Sequence, residues 1–378
     1  MKNRFLLLAA LLLATLSYSQ DAPGRWSAQK ANAWYAKQPF LVGANYAPAN
    51  AINELEMFQA DSFDPKTIDK ELAMAESIGM NTMRVFLHDL LWNDSAGFTK
   101  RLDQFLTLCA KHKIRPMLVL FDSCWDPNPK LGKQHDPVPG IHNSGWLQSP
   151  GADALTDKSQ YPRLKAYVKG VVGAFKNDKR ILAWDVWNEP DNTNDNSYGK
   201  NNKKLEPANK VALVTALLPQ VFQWAREAGP SQPLTCGVWI YKSPEKWKDP
   251  AKWSAMEKIQ FENSDIITFH QYSTPKALED VIPALKSFGR PVICTEYMAR
   301  GADSKFQTHL PIAKKYKVGM INWGFVAGKT QTFLPWDSWQ KPYVNGRKPT
   351  IWFHEVFKQD GSPVDPAEIA AIKQATGK

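Results

Sequence analysis

The chain alternates short apolar runs with amphipathic stretches, eight times over. The runs are Leu41–Tyr46, Thr82–Leu87, Pro116–Phe121, Ile181–Val186, Leu234–Ile240, Ile266–His270, Pro291–Thr295 and Gly319–Trp323. They are nearly continuous in Val, Ile, Leu, Met and Phe and do not alternate with polar residues. That pattern marks parallel strands covered on both faces. Between the runs, apolar residues recur at helical spacing. Ile68, Leu72 and Ala75 form one stripe, closed by Gly79 as a C-cap. Leu102, Phe105, Leu106 and Cys109 form a second, and Leu164, Tyr167, Val168, Val171, Val172 and Phe175 a third. A longer pattern spans Pro207–Ala228, where Pro219 predicts a kink or break. Leu278, Val281, Ile282 and Leu285 follow the sixth run, Phe306–Tyr316 precedes the eighth, and Ile351–Phe357 follows it.

Eight strand–helix units in succession predict an α/β chain folded as a single (β/α)8 TIM barrel. A doubly wound open sheet is the alternative, but no Gly-rich phosphate loop follows the first strand. Two long loops interrupt the pattern, Asp122–Gln160 after the third strand and Asp191–Glu206 after the fourth. Both leave the C-terminal ends of strands, where barrels build their active sites.

The first residues do not belong to this pattern. Lys2 and Arg4 precede the apolar run Phe5–Leu16, which ends in Ser17, Ser19 and Gln20. A basic start, a short apolar stretch and small residues describe an export signal, with the cut near Gln20–Asp21. The expected organisation is a signal over residues 1–20 and a barrel over 21–378. The expected location is secreted or periplasmic, with no stable membrane insertion once the signal is removed.

A net charge of +10 comes from scattered basic residues, with only short clusters such as Lys200, Lys203 and Lys204. A scattered excess reads as a solvated surface, so no nucleic-acid partner is expected. The chain is read as a monomer. Cys109 lies in a helical stripe, and Cys236 and Cys294 lie in apolar strands. With Cys124 they read as free thiols and match no zinc spacing. Asp89, Asn93 and Asp94 complete no ligand set, so neither a metal nor a cofactor is expected.

Two strand ends carry the chemistry. The fourth run ends in Trp184-Asp185-Val186-Trp187-Asn188-Glu189-Pro190, and the proline stops the ladder. The seventh ends in Cys294-Thr295-Glu296-Tyr297. In a closed barrel these tips face each other across the mouth. Such a pair suits glycoside hydrolysis, where one carboxyl starts protonated and the other ionised. Trp184, Trp187 and Pro190 give Glu189 an apolar setting, which favours the protonated form. Arg84, at the end of the second run, is the expected partner holding Glu296 ionised.

This set resembles the clan GH-A glycoside hydrolases, and most of all glycoside hydrolase family 5, the cellulase family. The resemblance spans roughly residues 40–357. It implies Glu189 as general acid/base, Glu296 as nucleophile, Asn188 as a contact to the sugar 2-hydroxyl, and Arg84 as support for the nucleophile. It implies a site lined by His270 and Tyr272 of His270-Gln271-Tyr272. It makes Trp323 of Ile321-Asn322-Trp323-Gly324 the sugar platform. One departure stands out: many members carry a His ending the third strand, where this chain reads Phe121-Asp122-Ser123-Cys124-Trp125. His88, Asp122 and Trp125 are therefore further candidate substrate contacts. Trp146, Trp336 and Trp339 are candidate subsite walls.

The expected activity is retaining hydrolysis of β-glycosidic bonds in a glucan-, mannan- or xylan-type glycan, which is the expected partner. The alternatives are a non-catalytic carbohydrate-binding barrel, a transglycosylase, or a metal-dependent barrel hydrolase.

Overall fold

The computed structural model describes residues 22–195, 206–239 and 244–378. Eight parallel strands form the sheet: β1 (Val42–Asn45), β2 (Thr82–Phe86), β3 (Met117–Val119), β4 (Ala183–Asp185), β5 (Leu234–Thr235), β6 (Ile267–His270), β7 (Val292–Glu296) and β8 (Gly319–Asn322). Ladders run in the order β5-β4-β3-β2-β1-β8-β7-β6. The remaining seam is stitched by a parallel bridge from Val238 to Phe269, in which the His270 N–H donates to the Val238 carbonyl. The barrel therefore closes.

All eight expected strands are present. The fifth is shorter than the apolar run suggested, because side chains replace its ladder. Ser264 Oγ accepts from the Cys236 N–H and Gln260 Nε2 donates to the Gly237 carbonyl. Ile240 lies outside the described residues.

The helices that clothe the sheet are α1 (Pro65–Ser77), α2 (Ser95–Lys111), α3 (Tyr161–Ala174), α4 (Lys210–Glu227), α5 (Ala255–Asn263), α6 (Pro275–Lys286), α7 (Phe306–Tyr316) and α8 (Pro366–Thr376). Their starts follow the chemistry of orphan N–H groups. Asp64, Thr274 and Asp365 each cap a helix whose first residue is proline. Asp94 caps α2 by accepting from the Gly97 N–H. Helix α4 runs unbroken through Pro219, contrary to the expected break. Pro219 is exposed, so the carbonyl it deprives of a helical donor lies on the solvent side.

A second expectation is corrected. Ile351–Phe357 is not helical; the helix after β8 is α8. Arg300 explains the difference. Its guanidinium binds the carbonyls of Trp352, His354 and Glu355, which a helix would need for its own ladder. The same guanidinium meets both oxygens of Glu368 on α8. Thr376 then ties α8 back to the Ile78 carbonyl at the end of α1.

Inside the barrel the layers differ in kind. Leu41, Met117, Leu182, Ile266, Ile293 and Ile321 fill the N-terminal end, where Trp26 and Ala31 of the segment leading into β1 cover them. The opposite end is polar, holding Asn45, Arg84, Asp185, Thr235 and Asn322, all buried. Register sets this layer: Asn45 pairs with Arg84 and Asp185 with Thr235. The loops after β3 and β4 rise from this end. The expected signal, residues 1–20, and most of the loop after β4 lie outside the described residues. Among the described residues, no helix is long and apolar enough to cross a membrane.

Arg300 and Glu368 are 7% and 3% exposed, so breaking the pair strands a buried charge. Arg300→Met should cost about 3–5 kcal/mol of stability. Urea midpoints will show it: Glu368→Gln should lose a similar amount, and the double variant should lose less than the two combined.

Candidate active site

The polar layer converges on one guanidinium. Arg84 Nη2 donates to Asp185 Oδ2 at 2.8 Å and to Asn188 Oδ1 at 2.7 Å. Its Nη1 donates to Asn45 Oδ1 at 2.9 Å and to Glu296 Oε1 at 2.8 Å. Arg84 is 1% exposed, so these bonds stand in place of its lost hydration. Asn188 is fixed from both sides, because its Nδ2 also donates to Asp122 Oδ1 at 2.9 Å.

Glu296 ends β7 and Glu189 follows β4. One carboxylate oxygen of each and a ring nitrogen of His270 lie within 4.8 Å of one another. That approach belongs to the closer of the two carboxylate spacings used in glycoside hydrolysis, the retaining one of ~5–5.5 Å. The two acids have different company. Glu296 accepts from the Arg84 cation and, at 2.7 Å, from the Tyr272 hydroxyl. Glu189 meets neutral groups: Asn192 Nδ2 at 2.7 Å, the Cys124 thiol at 3.3 Å, and His270 Nδ1 at 2.8 Å. The Glu189 backbone is held at φ +42°, a region that side-chain-bearing residues seldom adopt.

Burial raises both carboxyls above their usual range. For Glu296 this is opposed by His270, Arg84 and the Tyr272 hydroxyl, while Glu189 adds to it. Burial also pushes Asp122 up to about 6 and raises Asp185. His270 is pushed down to about 4 by burial, so it is neutral near pH 7. Two of these buried acids, Asp185 and Glu296, bond the one guanidinium, while Glu189 and Asp122 do not. The Glu189–His270–Glu296 triangle has the donor types of a metal site. However, Arg84 already delivers a positive charge to Glu296.

A cavity of about 520 Å³ opens above these groups. Trp125, Trp239, Trp323, Trp336 and Trp339 line it beside Glu189 and Glu296. Trp125 and Trp339 stack, with centroids 5.6 Å apart at 20°. Flat aromatic walls over a buried carboxyl pair suit a ring with apolar faces and polar edges.

A family model described as Cellulase (glycosyl hydrolase family 5) matches residues 44–341. The chain belongs to glycosyl hydrolase family 5. Solved structures share its barrel at low identity. An exo-β-1,4-mannosidase from Opitutaceae bacterium strain TAV5 is 19% identical with a TM-score of 0.56, over 89% of this chain and 59% of that one. The chain thus spans under two thirds of that relative's length. A GH5_18 protein from Streptomyces cattleya, solved with GlcNAc, is 11% identical with a TM-score of 0.59, over 90% and 80% of the two chains. A β-1,4-D-mannanase from Cryptopygus antarcticus is 13% identical with a TM-score of 0.57, over 90% and 91%. No curated protein sequence matches the chain.

In this family 5 chain the sequence-chosen residues separate into two groups. Glu189, Glu296, Asn188, Trp125, Tyr272 and Trp323 line the cavity, and Arg84 and His270 bind the two carboxyls from behind. His88 and Asp122 are corrections, because neither lines the cavity. His88 is fully buried, accepting from the Leu90 N–H while its other ring nitrogen meets the Gln148 carbonyl. Asp122 spends its oxygens on Asn188, on Trp146 Nε1 at 2.7 Å and on the Cys124 N–H, so it orients Asn188. Trp336 and Trp339 join the walls, while Trp146 sits behind Trp323. Asn192, Cys124, Trp239 and His142 were missed. Only Asn192 gave a local signal, as an Asn in the turn three residues beyond Glu189.

All four cysteines are free and buried, and burial raises each thiol. A disulfide reagent at pH 8 should find no fast-reacting thiol in the native protein and four after guanidinium unfolding. Rapid native labelling of Cys124 would contradict the packing around Glu189.

Proposed function

We propose that this family 5 enzyme cleaves β-linked poly- or oligosaccharides by double displacement, with Glu189 as acid/base and Glu296 as nucleophile. The observation that carries the assignment is the unequal company of two carboxyls within 4.8 Å. The ionised form is favoured where a cation and a hydroxyl donate, at Glu296. The proton is favoured by burial at Glu189, which bonds no cation directly; the donors Cys124 and Asn192 and the charges of Arg84 and Lys210 oppose burial there.

The steps follow from that asymmetry. Glu296 attacks the anomeric carbon as the glycosidic C–O bond breaks, and Glu189 gives its proton to the departing oxygen. Water enters, Glu189 takes a proton from it, and the new hydroxyl displaces Glu296. Tyr272 and Arg84 orient the nucleophile and accept the return of its charge when it leaves. Asn188, locked between Arg84 and Asp122, supports a contact to the 2-hydroxyl. Trp323 supports stacking under the ring.

The basic, apolar and small pattern of residues 1–20 supports export, which would bring the enzyme to a polymer outside the cell. Two of the structural relatives are a mannosidase and a mannanase, so β-1,4-mannan is the first glycan to assay, before glucan and xylan.

Glu189→Gln should lower kcat/KM on a glycan about 10²–10⁴-fold, the usual worth of a positioned acid. The sharper test uses a 2,4-dinitrophenyl β-glycoside, whose leaving group needs no proton. With azide, Glu189→Ala should give the β-glycosyl azide and Glu296→Ala the α-glycosyl azide. The reverse pairing would exchange the roles, and no azide product from either would end the proposal. In the parent enzyme, kcat/KM should fall as pH rises through the elevated Glu189 ionisation. That alkaline limb should vanish for Glu189→Ala on the activated substrate.

A further inference from the structure

The acid marks the side of the cavity from which the leaving group departs. Glu189 follows β4, and in this barrel β8 lies across from β4, flanked by β7 and β1. The rest of the glycan on the non-reducing side therefore runs away from β4, towards β8 and β1.

That end is roofed. The loop after β3 is bonded to the loop after β8. The Asn143 N–H donates to the Thr330 carbonyl at 2.7 Å, and the Tyr343 N–H donates to the Gly140 carbonyl at 2.9 Å. Both loops are bonded to the one after β1, with the Lys329 N–H donating to the Ala49 carbonyl at 2.9 Å and Asn53 Nδ2 to the Gly145 carbonyl at 2.8 Å. Glycine permits the closest contact: a Cβ on Gly328 would sit 2.2 Å from the Ala49 carbonyl oxygen.

Beneath the roof stands an aromatic wall. Trp146, from the β3 loop, packs edge-on against Phe86 at 5.1 Å and Trp323 at 5.9 Å. Its indole N–H is anchored on Asp122 at 2.7 Å. Trp323 lines the main cavity on one side, and on the other Trp323, Trp146 and Phe86 line a second cavity of only about 20 Å³. That is room for about one water, not a second sugar.

Resting on the proposed roles of Glu189 and Glu296, we infer that the cavity accepts a single sugar on the non-reducing side. The enzyme removes terminal monosaccharides one at a time, and Trp146 sets that limit. Each cycle consumes one water and shortens the chain by one residue.

The test uses the full chain with mannohexaose, cellohexaose and xylohexaose carrying a 2-aminobenzamide label at the reducing end, and with the matching 4-nitrophenyl β-monoglycosides. The expected early products from a cleaved hexasaccharide are free monosaccharide and labelled pentasaccharide, with cleavage of the matching monoglycoside. Early labelled di- or trisaccharide without monosaccharide would overturn the single-sugar inference while leaving the catalytic roles intact. Failure on every probe would instead overturn the hydrolytic reading beneath it. Trp146→Ala should open the wall, so that disaccharide appears and the monosaccharide-to-disaccharide ratio falls at least tenfold. A folded Trp146→Ala protein, checked by its thermal melt, with an unchanged ratio would remove Trp146 as the determinant. If that variant does not fold, the parent product pattern still decides the inference.

Discussion

Everything at the mouth of this barrel depends on burying one guanidinium. An isolated charge inside a protein is costly, and Arg84 is tolerable only because four side chains on or just beyond three strands answer it. Asp185 supplies a carboxylate partner, Asn45 and Asn188 supply neutral acceptors, and Glu296 completes the set. Two acids competing for one cation cannot both be fully neutralised. Asp185 draws chiefly on Arg84, whereas Glu296 also has the Tyr272 hydroxyl. The hub thus holds a second carboxyl against a cation at the edge of the cavity, pre-aimed. That is the form of electrostatic assistance that costs no rearrangement at the moment of reaction.

The barrel makes such a hub possible. Parallel register brings Asn45 opposite Arg84, and Arg84 reaches Asp185, two residues past its register partner Ala183 on β4. A one-residue slip would turn these side chains to the outer face, where the helices lie. The apolar plug at the other end, with Leu41, Ile293 and Ile321, therefore serves the chemistry as well as stability. It fixes the register that puts one charged layer under the mouth.

The barrel and its hub were legible because both are written in strands. Apolar runs gave all eight strands, and the strand-end residues Arg84, Glu189, His270, Glu296 and Trp323 kept the order that a closed sheet must bring together. The loops beyond the strand ends were harder to read. His88 and Asp122 look available in sequence, yet each is consumed by partners that only the folded chain supplies: Gln148 of the β3 loop for one, Trp146 of that loop and Asn188 beyond β4 for the other. The apolar pattern of Ile351–Phe357 fits a helix, but Arg300, some fifty residues earlier, claims its carbonyls. Asn192, Trp239 and His142 come to the cavity through loop geometry, which hydrophobic periodicity does not encode.

The same division of labour separates reaction from substrate. The residues that assign acid and nucleophile sit on or just beyond strands and are rigid by register. Trp125, Trp146 and His142 come from the β3 loop, and Trp336 and Trp339 from the loop after β8. Those loops are joined chiefly through main-chain groups, as at Asn143–Thr330 and Tyr343–Gly140, so their mutual position depends little on side-chain identity. A change such as the loss of Trp146 would redraw the cavity without touching Arg84 or either glutamate. The contact where the two parts meet is Asp122: one oxygen holds Asn188 beside the Arg84 hub and the other anchors Trp146 behind Trp323. A single buried carboxylate thus ties where the bond is cut to how many sugars can lie beyond it.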